Sequence, residues 1–200
     1  MAQIDLFATA VVTCESINMH FDNIDQIYAA NDAVREELRS ILDGLDDASA
    51  SKVPDGEKWS AAHLVEHISI VEEGMGKICS KLLGRAKAEG LAANGVKVSN
   101  EFLEKGREMF KRKLEAPSMV VPSGNVPLLE SLSRMDGNRT RLKGLKPEFE
   151  LHDGTSHTFP HPYFGELTAV EWLVLVGEHE KRHLRQLKKL LEKIQKDPDS

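Results

Sequence analysis

The sequence predicts an all-α protein: a four-helix bundle with a short extra helix between its second and third helices and a long, hairpin-bearing connection before its fourth. Three observations carry this. Four long segments place apolar residues at alternating steps of three and four, the period of a helix with one buried face. Loops bearing proline and glycine separate those segments. Strand-like patterning is confined to one short stretch, so helix-on-helix packing is the natural way to bury the apolar stripes.

The first bundle helix spans roughly Asp22 to Leu45, where Ile24, Tyr28, Val34, Leu38, Ile41 and Leu45 keep a helical period. Gly44 and the run DDASAS end it. A loop over 46–59 with Pro54 and Gly56 leads to Ser60, a favoured N-cap. The second helix follows at once, with Leu64, Ile68, Val71, Met75, Ile78 and Leu82 as its seam and Gly84 or Gly90 as its stop. Residues 99–115 form the short charged helix, with Phe102, Leu103, Phe110 and Leu114 as apolar contacts. Pro117, Pro122 and Gly124 break the chain. The third helix runs from Pro127, a good first-turn residue, to Gly144, facing inward with Leu128, Leu132, Met135 and Leu142. Arg139 interrupts that face, and nothing in the sequence accounts for it.

The connection 145–165 is long for a bundle. Asp153-Gly154, flanked by FELH and TSHTF, signals a hairpin turn within it. The fourth helix covers 168–194, opened by the capping-box pair Thr168 and Glu171. Two hundred residues fit one domain, read as 1–200 with 1–20 as an N-terminal extension and 195–200 as a tail.

Composition excludes several classes. A net charge of −6 opposes general nucleic-acid binding, which needs a dominant positive field. The basic residues crowded into 181–196 read as a solvated helix face. No apolar stretch approaches the ~18–20 residues of a membrane span. The apolar run Leu6–Val12 follows Asp5 with no basic residue before it, unlike a secretory signal. Two lone cysteines, Cys14 and Cys79, make no metal or disulfide pattern. A cytoplasmic protein acting on a small molecule, with neither nucleic acid nor membrane as partner, is expected.

The chemistry lies in the histidines. Trp172, Val176, His179, His183 and Gln186 share one face of the fourth helix, and His179 and His183 are one turn apart, close enough to grip one metal ion. His179-Glu180-Lys181-Arg182-His183 also reads as H-E-x-x-H, in which Glu180 would be the catalytic base of a metalloprotease. Gln186 and Lys189 stand where the extended form of that motif needs glycine and histidine, and only 17 residues follow His183 to supply a third ligand. Glu180 lies about 100° around the helix from His179, so a surface glutamate paired with a nearby basic residue is the simpler reading. Glu180-x-x-His183 matches half of a di-iron site, but no second helical Glu-x-x-His exists. The missing ligand must come from upstream, where the second helix offers His63 or His67.

Trp59-Ser60 with His67 eight residues after the tryptophan, and His161-Pro162-Tyr163-Phe164-Gly165-Glu166-Leu167-Thr168 followed by Glu171-Trp172 and His179-x-x-x-His183-x-x-Gln186, resemble the two signatures of the DinB-like (DinB/YfiT) superfamily. The resemblance spans about 20–195. It implies a four-helix bundle, often a homodimer, with one histidine of the second helix and two of the fourth on a divalent metal, nickel or zinc most often, iron also fitting. Position by position the ligands fall on His67, His179 and His183. His63 and His161 are then neighbours, better read as cap or loop hydrogen-bonding residues than as ligands. Relatives that transfer a low-molecular-weight thiol such as bacillithiol or mycothiol imply a metal-dependent thiol S-transferase acting on small electrophiles. The alternatives are a hydrolase using metal-activated water, with Glu180 as base, and a non-catalytic metal-binding stress protein.

Overall fold

A computed structural model of the chain describes residues 20–112 and 114–196. Residues 1–19 of the expected extension, and 197–200 of the tail, lie outside the described residues. The elements run α1 (Ile24–Leu42), α2 (Asp47–Ser51), α3 (Ala61–Ala88), α4 (Asn100–Lys111), a 3-10 turn (Ser118–Val120), α5 (Leu128–Gly144), α6 (Lys146–Leu151), β1 (Thr158–His161), β2 (Gly165–Thr168) and α7 (Ala169–Lys196). The four long helices α1, α3, α5 and α7 are the bundle. No helix of the described residues is long and apolar enough to cross a membrane.

Local chemistry sets the boundaries. The Asn23 side chain accepts from the Gln26 amide at 3.0 Å and starts α1. In α3 the chain passes Gly84 and stops at Gly90, whose φ of +70° suits the left-handed residue after a helix. The bonds Leu91 N to Ala86 O and Gly90 N to Lys87 O close that end as a Schellman motif. The stretch 46–59, expected as a loop, contains the small α2, capped by Asp46. The charged helix α4 is shorter than its expected 99–115. Arg182 donates to its terminal carbonyls, Met109 O at 2.7 Å and Arg112 O at 2.8 Å, where lysine or water would otherwise serve.

The hairpin before the last helix is present, but its turn is at 162–164 rather than at Asp153-Gly154. Thr158 pairs with Thr168 and His161 with Gly165 in antiparallel register. The segment expected as the first strand is the helix α6, because Pro147 sits in its first turn and Phe149 buries against the core. Asp153-Gly154 still turns the chain: Asp153 Oδ1 accepts from Thr155 N at 2.8 Å. The residues beside it then pair with 91–93 through Ala93 N to Leu151 O and Asp153 N to Leu91 O.

Helix α3 packs against α5 and α7, and α1 against α7. Their stripes form two apolar clusters, one around Ile27, Met75, Leu142 and Leu173, the other around Leu38, Ile68, Met135 and Leu187. On every bundle helix a charged residue falls between the two sets: Arg35, Glu72, Arg139 and Glu180. Arg35 Nε donates to Glu180 Oε1 at 2.6 Å and its Nη2 to Glu72 Oε2 at 2.8 Å. Arg139 Nε donates to Glu72 Oε1 at 3.0 Å and its Nη2 to Glu180 Oε2 at 2.8 Å. This alternating square accounts for Arg139. It also corrects the surface reading of Glu180, which is 1% exposed and holds both arginines.

Candidate metal centre

Ser60 starts α3 so that His67 falls on its second turn, and the unbroken α7 places His179 and His183 one turn apart opposite it. One ring nitrogen from each of His67, His179 and His183 lies within 4.8 Å of the others. His179 Nε2 and His183 Nε2 are 3.1 Å apart. Zinc binds imidazole nitrogen at about 2.0–2.1 Å, which puts two ligands of one ion about 3.0 Å apart at a right angle and about 3.4 Å apart in a tetrahedron. The spacing of this pair falls between, so His179 and His183 fit two positions on one divalent cation, with His67 within reach of a third.

Hydrogen bonds behind the rings choose the free nitrogens. His67 Nδ1 lies 2.7 Å from the Val120 carbonyl, which can only accept, so Nδ1 carries the proton and Nε2 keeps its lone pair. His183 Nδ1 lies 2.6 Å from Gln186 Oε1 and is fixed the same way. Gln186 was visible in the sequence as part of the α7 face. Val120 was not, since a backbone carbonyl delivered by a loop leaves no signal.

The sequence profile of the DinB superfamily matches residues 30–187, most of the chain. The chain belongs to the DinB superfamily. It is 27% identical over 163 residues to the uncharacterized protein YuaE of Bacillus subtilis (strain 168), covering 81% of this chain and 95% of that protein. Among solved structures it is similar to TT2238, described as a four-helix bundle protein, with a TM-score of 0.54 at 24% identity, over 82% of this chain and 98% of that one.

In this DinB-superfamily chain the three imidazoles are held neutral. Burial pushes His67 below its ordinary value, against the opposing bond to Val120. Burial, with His67 and then Arg182 adding to it, lowers His183 to about 3. His179 is pushed well below the usual range by burial and then by His183 and His67. Lone pairs are therefore free near neutral pH without displacement of protons. The set includes no carboxylate, so a bound dication keeps its full charge. Glu180 does not join it, because both of its oxygens are engaged by Arg35 and Arg139.

The two other histidines near the DinB triad bond elsewhere. His63 closes the α3 cap, accepting from Ser60 N through Nδ1 at 3.1 Å while its own amide donates to Ser60 Oγ at 3.2 Å. His161 Nδ1 accepts from the hairpin-turn amides of Tyr163 and Phe164 at 3.1 and 3.3 Å. Its ring sits 5.2 Å from that of Trp172, and burial lowers it to about 4. The Trp59 ring lies 5.0 Å from that of His67 and completes the aromatic surround.

Proposed function

We propose that the protein is a divalent-cation-dependent thiol S-transferase, joining a low-molecular-weight thiol to a small electrophile at the triad of His67, His179 and His183. The observation that carries this is the convergence of three neutral imidazoles from two helices, two of them tautomer-locked from behind. Nickel and zinc suit such a nitrogen-only set, and iron also fits. When bound, the cation supplies Lewis acidity, lowering the pKa of a thiol or water in its open positions.

The chain's own groups favour a thiol over water. Cys79 is fully buried and burial pushes its thiol up to about 12, so it is no nucleophile, and this reading takes its sulfur from an incoming thiol. Glu180, committed to two guanidinium groups, supplies no base to a hydrolytic step, which would rest on cation-bound water alone. An incoming thiol, ordinarily near 8.5, starts far closer to ionisation than water does.

Elemental analysis of the purified protein, paired with conjugation of 1-chloro-2,4-dinitrobenzene by a panel of biological thiols, tests this. About one nickel or zinc per chain and conjugation lost in His67→Ala are expected. Metal without conjugation by any thiol would make the site a non-catalytic one. Turnover of esters or amides without thiol would restore the hydrolase reading.

A further inference from the structure

We propose that the segment from Val120 to Gly124 is a positioning strap for the metal centre. Glu66 anchors it, so that the Val120 carbonyl dictates which nitrogen of His67 is free to bind a cation. The metal role rests on the cation-binding reading above; the effect on the His67 ring does not.

Glu66 and His67 are neighbours on α3 and hold the two ends of this strap. Glu66 is 3% exposed, yet among the described residues its hydrogen bonds go to a loop rather than to a basic side chain. Its Oε1 accepts from Ser123 N at 2.9 Å and from Ser123 Oγ at 2.8 Å, and its Oε2 from Gly124 N at 3.1 Å. Burial raises its carboxyl, but these three donors prevail and hold it below the usual carboxylate range. A buried carboxylate whose hydrogen bonds go to one loop has the job of holding that loop.

The far side of the strap is pinned as firmly. Gly124 has φ +75°, and a Cβ there would lie 2.4 Å from His63 Nε2. The His63 ring cannot retreat without breaking the Ser60 cap. With 123–124 clamped between Glu66 and His63, only Val121 and Pro122 separate the clamp from Val120, and the proline ring removes one torsion. The Val120 carbonyl is thereby set 2.7 Å from His67 Nδ1. Without that acceptor the ring is free to carry its proton on Nε2, the nitrogen the cation needs. Glu66 therefore acts through the strap and touches neither cation nor substrate.

Histidine nitrogen-15 NMR on the metal-free, full-length protein tests this, alongside Zn(II) titration and thermal unfolding. Wild type should show His67 protonated on Nδ1. Glu66→Gln, which replaces an acceptor with an amide facing Gly124, and Gly124→Ala, which strikes the strap from its other side, should each give a mixture of ring forms. Zinc affinity should fall about tenfold. Ser123→Ala removes a single donor and should shift both readouts less, in the same direction; it decides the matter if either other variant does not fold. An unchanged His67 ring in the folded variants overturns the proposal, as does a shifted ring with wild-type zinc affinity. Wild type that shifts as expected on mutation but takes up no cation would leave the strap standing and remove the cation-binding reading instead.

Discussion

Two groups of buried polar side chains lie within two turns of each other on α3 and α7, and they are opposite in kind. The square of Arg35, Glu72, Arg139 and Glu180 is closed: each bundle helix gives one charge, the sum is zero, and every group meets its opposite. The triad of His67, His179 and His183 is open: three neutral rings bring one nitrogen each within 4.8 Å of the others, and His179 and His183 meet nitrogen to nitrogen at 3.1 Å, with no charge among them to balance. Burial of polar groups is tolerated when they are satisfied. One set is completed by opposite charges within the fold, while the other gathers ring nitrogens at a point where a cation can join them. A polar cluster completed from inside is architecture, and one completed from outside is a site. Adjacent residues of α7, His179 and Glu180, fall on either side of that line.

The largest effect should come from breaking the closed set. Glu180→Ala leaves two arginines buried with one carboxylate fewer, and should lower unfolding stability in urea by about 3–5 kcal/mol. Replacing all four members together (Arg35→Met, Glu72→Leu, Arg139→Met, Glu180→Leu) should recover most of that loss, since an apolar layer has no charge to strand. If the single variant unfolds like wild type, the square is not the closed unit its geometry describes.

The open set should respond to a ligand and the closed set should not. With free Zn(II) at a hundred times its dissociation constant, wild type should gain about 2.7 kcal/mol against unfolding, and His67→Ala should gain nothing. The fourfold square variant should keep the wild-type gain, because its substitutions leave the imidazoles in place. Equal zinc stabilisation in wild type and His67→Ala would mean that the ion binds elsewhere.

The same contrast explains what the sequence revealed. The four long helices and their seams were legible because apolar periodicity is a local property, and the Thr168–Glu171 cap stands as read, with Glu171 N donating to Thr168 Oγ at 3.2 Å. His179 and His183 were legible because a ligand pair one turn apart is also local. Glu180 was misread by the same route. Its angle to His179 placed it off the site face, but only the positions of α1, α3 and α5 show that this other face is interior. Arg139 stayed unexplained for the same reason, its partners being 41 and 67 residues away in sequence. The hairpin turn was misplaced because Asp153-Gly154 carries a strong turn signal, whereas the helical start at Pro147 and the burial of Phe149 decide the segment before it.

The smallest expected effect concerns His161, a lone imidazole that belongs to neither set. Its folded pKa is about 4, lowered by burial, against about 6.5 for the unfolded chain. As pH falls below about 6.5 the unfolded state takes up the proton first. The stability that the neutral ring contributes is therefore complete above that pH and is lost between about 6.5 and about 4. The hairpin turn leaves the ring partly open to solvent, which holds the loss to about 1 kcal/mol. Urea unfolding at pH 7 and pH 5 in the presence of chelator, for wild type and His161→Asn, measures it. The asparagine oxygen can still accept from the turn amides, and the triad histidines titrate in both proteins, so their share cancels in the difference. A shallower pH dependence in the variant is expected. Identical slopes would show that His161 is more open to water than its packing against Trp172 implies.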